Sequence, residues 1–216
     1  MQYTILSTGP SRSFEPDHPL LVNASTDGQI VVAIGPGAGA AAMSLPDAAS
    51  KVAVLIELGT ECLGVHTGES RAQEGSNLLG FSRFRLGSAA PSTLVELVRQ
   101  PATAEAAIAA AREVFQSAGL QVATCGDAVG RIIDRLVRPY YNAALRRLDE
   151  GLASAEDMDT TLRLGLGYPQ GPIALLEDTG LAAHWEVSSA LYSQTGDPAY
   201  APARRALVAR QRALRS

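Results

Sequence analysis

Glycines 35, 37 and 39 follow an apolar run in QIVVAIGPGAGAAA (residues 29–42) and open a stretch of small side chains. Glycine between a strand and a helix lets the backbone approach a pyrophosphate closely, and the helix N-terminus offsets its charge. Read as Gly37-x-Gly39-x-x-Ala42, with Gly35 just before, the run fits the permissive form of a dinucleotide fingerprint. Glu57 stands 20 residues after Gly37, the spacing of a carboxylate that binds a ribose hydroxyl. The same run also reads as a Gly/Ala surface turn, and Pro46 interrupts the helix it would open.

Other side chains have the chemistry of proton transfer. Glu96 lies within LVELVR, where a carboxylate by itself reads as a strand-edge residue. Ser82 follows Gly80 and Phe81 in LLGFSRF; a serine hydroxyl needs an activating partner to act near neutral pH. Asp134, beside Arg135 and near Arg138, suits a substrate proton or a cation, and equally an ion-paired helix position. His66, in the glycine-bounded GVHTGES, becomes a replacement base if its loop folds toward the carboxyl edge of a sheet. His184 lies in a helical run and reads as structural. Cys62 and Cys125 make neither a metal-type cluster nor a disulfide framework, so no metal site is expected.

A sheet must place these residues. Tyr3–Ser7, Leu20–Asn23, Gln29–Ile34 and Leu78–Arg85 read as strand-like, and VAVLIE (52–57) has the continuous apolarity of a strand buried on both faces. Leu94–Arg99 fits a strand or a helical turn by period alone. Residues 103–118 change to helical spacing, with Thr103 as cap and Gly119 as left-handed stop, and Val122–Thr124 reads as a last strand. From Gly130 the spacing is helical almost throughout. Pro139 lies inside the helix over 131–150 and requires a neighbour to take up the carbonyl it frees. Further helices are expected after Ser154, from Pro172 to Gly180, over 181–192 and over 202–214. The border falls near 127–130, giving an α/β domain over 1–126 and a helical domain over 127–216.

Of the 216 residues, 46% are hydrophobic and 19% charged, enough to fill a core. A net charge of -4 argues against a nucleic-acid partner. No apolar run is long enough to span a membrane and the N-terminus lacks a signal core, so a soluble cytoplasmic protein is expected.

The stretch DAVGRIIDRLVRPYYNAALRRLDEGLASAEDMDTTLRLGLGYPQGPIALLEDTGL (127–181) resembles the C-terminal domain of the 3-hydroxyacyl-CoA dehydrogenase family. The family pattern is an Asp, then Gly-Phe-Ile-x-Asn-Arg, a helix ending in Glu-Gly, an Asp-rich helix, Gly-x-Gly-x-Pro-x-Gly-Pro and Leu-x-Asp-x-x-Gly-Leu. It is met here by Asp127, Gly130, Arg135, Glu150, Gly151, Gly167, Pro169, Pro172, Asp178 and Gly180, among others. LVELV (94–98) and SLPDAASKVAVLIELGTE (44–61) continue the resemblance more loosely.

The resemblance implies an abbreviated Rossmann-like α/β sheet followed by an all-α dimerisation domain, and hence a homodimer through the C-terminal helices. It implies NAD-linked oxidation of 3-hydroxyacyl-CoA to 3-oxoacyl-CoA in acyl-CoA catabolism. A His base oriented by a Glu would take the hydroxyl proton, and an Asn would hold the reacting group. Glu96 falls on the orienting Glu, Ser82 on the His, Asp134 on the Asn, and Arg131 on the aromatic after the Gly. The first half is short for a full nucleotide domain, and the segment that covers coenzyme A in the family is reduced to residues 62–77.

Three readings follow. The chain is an NAD-linked 3-hydroxyacyl-CoA dehydrogenase; or a catalytically inactive paralogue serving as a dimeric binding or interaction subunit; or a protein that binds acyl-CoA without NAD.

Overall fold

The computed structural model describes residues 2–69 and 76–215. The chain divides into two compact units, Met1–Phe84 with Pro91–Ile132, and Arg85–Ala90 with Ile133–Ser216, against the 126/127 border read from the sequence.

The first unit is a six-stranded sheet whose spatial order follows chain order: β1 (Tyr3–Ser7), β2 (Ile30–Ile34), β3 (Ala53–Glu57), β4 (Leu78–Arg83), β5 (Leu94–Arg99) and β6 (Gln121–Gly126). The first four are mutually parallel; β5 runs antiparallel to β4, and β6 parallel to β5. This is the expected abbreviated Rossmann-like sheet; among the described strands the order follows the chain without the reversal at which such sheets hold a dinucleotide.

Alternation fills both faces. Ile30, Val32, Leu55, Phe81 and Leu97 pack on one side with Phe14, Leu20 and the helix α4 (Glu105–Ser117). Val31, Ala33, Val54, Ile56 and Val98 pack on the other with Leu63 and the short α2 (Ala38–Met43). The LVELVR ambiguity thus resolves as a strand. Leu20–Asn23 does not: Pro19–Val22 is a helical turn (α1), with Pro19 at its first position and His18 Nδ1 accepting from Leu20 N. Thr103 does not cap α4 either; its Oγ1 accepts from Gln100 N, while Gly119 does take the left-handed stop, at φ +82°. The turn α3 (Gly64–Thr67) follows β3.

The second unit holds α5 (Ile133–Asp149), α6 (Ala155–Leu166), α7 (Pro172–Thr179), α8 (Leu181–Thr195) and α9 (Arg204–Ala213). Pro139 sits inside α5, and the carbonyl it strands, that of Arg135, accepts from Tyr200 Oη at 3.4 Å. Ser154 caps α6 through Asp157 N. Asp159 reaches across to accept from Ile173 N and Ala174 N at the start of α7, and Gly171 is required there because a Cβ would lie 2.2 Å from the Asp159 side chain.

Candidate functional site

In the first unit, Ser82 and Glu96 are direct partners across the antiparallel β4–β5 pair. Each side chain therefore stands on the same face of the sheet. Glu96 is almost fully buried and is already engaged: Oε1 accepts from Ile132 N at 2.8 Å, and Oε2 lies 3.9 Å from Arg131 Nε. Arg131 has φ +51°, a left-handed conformation unusual outside glycine. Its guanidinium is buried and donates to the carbonyls of Glu61 and Gly59. Glu96 and Arg131 thus tie the 130–132 turn to the loop after β3. Sequence reasoning gave Arg131 no task; its only signal was an arginine where the family pattern has an aromatic.

The turn after β2 is equally engaged. Gly35 has φ +93°, and a Cβ there would stand 2.8 Å from the Gly9 backbone. Its N–H donates to Glu57 Oε2 at 2.8 Å. Gly37 N donates to Thr8 Oγ1 at 3.0 Å. Glu57 also accepts at Oε1 from Ser11 Oγ and Ser13 N, both at 2.7 Å, and is buried. Gly39 gives room not to a ligand but to His66, whose Nδ1 would lie 2.1 Å from a Cβ at that position. A pyrophosphate needs donor N–H groups, and a ribose needs a carboxylate with acceptors to spare. Gly35, Gly37 and Glu57 have spent theirs within the protein, so these residues do not fit NAD.

His66 does fold to this edge of the sheet, as the sequence allowed. Its Nε2 is 3.4 Å from Glu61 Oε1, and Glu61 in turn accepts from Gly59 N. Asp127 serves the same edge structurally, accepting from Leu63 N and Gly64 N at the start of α3. Part of the shortened 62–77 segment, residues 70–75, lies outside the described residues.

Asp134 belongs to the second unit. Its Oδ1 accepts from Arg138 Nε at 2.7 Å, the ion-paired helix position the sequence offered. Arg138 is 1% exposed, and its Nη1 is 3.1 Å from His184 Nδ1. An arginine only donates, so Nδ1 is the acceptor and the His184 proton sits on Nε2, facing Asn142 Oδ1 at 2.9 Å. Asn142 Nδ2 donates onward to Ser188 Oγ and the Tyr200 carbonyl. Burial first, and the Arg138 charge second, lower the His184 pKa to about 3. Four polar side chains thus pin α5 to α8. Among the described residues, no group of acidic, cysteine and histidine side chains is arranged to hold a metal ion.

The fold is a Rossmann-like sheet and a helical domain. Residues 130–215 match the family described as 3-hydroxyacyl-CoA dehydrogenase, C-terminal domain. Over this domain the chain is similar to the 3-hydroxyacyl-CoA dehydrogenase family. It is 40% identical over 88 residues to the mitochondrial hydroxyacyl-coenzyme A dehydrogenase of Sus scrofa, covering 41% of this chain and 28% of that protein. It is 36% identical over 110 residues to 3-hydroxybutyryl-CoA dehydrogenase of Mycobacterium tuberculosis, covering 50% of this chain and 38% of that one. These matched stretches span well under half of either relative. Among solved structures, (S)-3-hydroxybutyryl-CoA dehydrogenase from Ralstonia eutropha superposes with TM-score 0.64 at 26% identity, over 83% of this chain and 64% of that one.

Proposed function

We propose that this chain binds 3-hydroxyacyl-CoA and 3-oxoacyl-CoA thioesters and serves the oxidoreduction that interconverts them in acyl-CoA catabolism. The observation that carries this reading is the match of residues 130–215 to the C-terminal domain of enzymes named for that chemistry. Ser82 and Glu96, the positions the resemblance assigns to proton transfer, are cross-strand partners on β4 and β5, which supports it. Asp134 is the side chain of the helical unit assigned to the reacting group. In this reaction class NAD supplies the hydride acceptor. Since Gly35, Gly37 and Glu57 do not fit it, no hydride step is built on them.

A second reading has its own observation. The position of the expected base holds Ser82, and its neighbour Glu96 is bound to Ile132 N rather than presented to a base. On that reading the chain is a binding or interaction subunit. A homodimer belongs to both readings: Leu136, Leu164 and Leu166 are apolar side chains that a second copy would cover. So does a cytoplasmic location. Among the described residues, no helix is long and apolar enough to cross a membrane.

The test is acetoacetyl-CoA with NADH, followed by NADH absorbance alongside a direct binding titration. Binding with turnover establishes the enzyme, binding without turnover selects the subunit, and no binding overturns both.

A further inference from the structure

We infer that Thr8–Phe14 is a built-in strap across the carboxyl ends of β2 and β3, and that the Gly35–Gly39 turn is its anchor rather than a dinucleotide cradle.

The strap is held at Thr8, Ser11, Ser13 and Phe14. Thr8 N and Thr8 Oγ1 both donate to the Ile34 carbonyl, at 3.0 and 2.9 Å, and Thr8 Oγ1 accepts from Gly37 N. Ser11 Oγ accepts from Ser13 N and Phe14 N while donating to Glu57. Ser13 N donates to Glu57 as well, and the Ser13 carbonyl accepts from Arg83 Nη1 at 2.7 Å. Phe14 then enters the core against Phe81 and Phe115. The chain's own backbone and hydroxyls therefore take the donors and acceptors that a pyrophosphate and a ribose would use. Two features of the fold agree. Helix α2 has six residues, too short for a strong N-terminal dipole, and the described strands follow chain order without the reversal at which such sheets open a crevice.

This inference stands apart from the thioester reading, and one sample tests both. The full chain is titrated with NADH, followed by nicotinamide fluorescence, with acetoacetyl-CoA binding measured in parallel. Two variants accompany it. Glu57→Gln removes the carboxylate that accepts from Gly35 N. Gly37→Ala adds a Cβ 3.3 Å from Thr8, so Thr8 must shift by a few tenths of an ångström, and it fills the close backbone approach a pyrophosphate would need at that turn. The expected result is no saturable NADH binding, with a lowered Tm for Glu57→Gln. NADH binding that neither variant changes also supports the inference, since it locates the nucleotide elsewhere. Saturable NADH binding that Gly37→Ala weakens tenfold or more, with the circular dichroism spectrum unchanged, would overturn it. Failure of acetoacetyl-CoA to bind would count against the thioester reading alone.

Discussion

Ser82 and Glu96 face each other across the antiparallel β4–β5 pairing of the six-stranded sheet. Glu96 turns its carboxylate to the 131–132 backbone and guanidinium instead of orienting a neighbouring base. A position that the resemblance assigns to proton transfer has become a buried joint between β5 and the loop after β3.

Glu96→Ala therefore acts first on stability. It leaves Ile132 N and the Arg131 guanidinium buried beside an empty space, a loss of about 2–4 kcal/mol. Glu96→Gln, which keeps an oxygen for Ile132 N, should lose less than half of that. Urea unfolding of the three proteins checks the order.

Asp134 and Arg138 should be strongly coupled, because Arg138 is buried and Asp134 is its carboxylate. Either Asp134→Ala or Arg138→Met alone strands a polar group. The pair together should cost less than the sum, with a coupling of about 1–3 kcal/mol in a double-mutant cycle. Additive effects would show that the ion pair is not what holds this part of α5.

His184 sets a pH dependence. Its folded pKa is about 3, against 6.5 when free. Below 6.5 the unfolded chain takes up a proton that the folded chain refuses, so stability is present above that pH and is lost as pH falls toward 3. The slope is about 1.4 kcal/mol per pH unit. Comparing His184→Gln with the parent between neutral pH and pH 5 isolates it from the carboxylates: the parent should lose stability more steeply on acidification.

Asp159→Ala removes the acceptor shared by Ile173 N and Ala174 N, and should cost about 1–2 kcal/mol of unfolding free energy. Asp159→Asn keeps one acceptor and should recover part of it. Thermal denaturation of both variants checks the difference.

Local patterns carried much of the fold. Val54, Leu55 and Ile56 are buried on both faces as a continuous apolar run should be, and Pro139 found the hydroxyl its stranded carbonyl required. Leu20–Asn23 misled because Pro19 and His18 start a helical turn there, a cap that outweighs strand propensity. The glycine turn misled for another reason. Gly35 and Gly37 do sit between β2 and α2, with Gly39 inside the helix, but spacing cannot reveal that Thr8 and His66 occupy their surroundings from positions remote in the chain. Glu57 stands at the spacing of a ribose ligand and spends one oxygen on Ser11 and Ser13 of the strap and the other on Gly35 N. Asp134 was legible as an ion pair because Arg138 lies one helical turn away; its link to His184 needed the fold.

The most direct measurement of the central claim is a calorimetric titration of the purified chain with acetoacetyl-CoA, with free coenzyme A as the reference. The account predicts saturable binding that is tighter for the thioester than for coenzyme A alone. No saturable heat with either, from a folded sample, would contradict it.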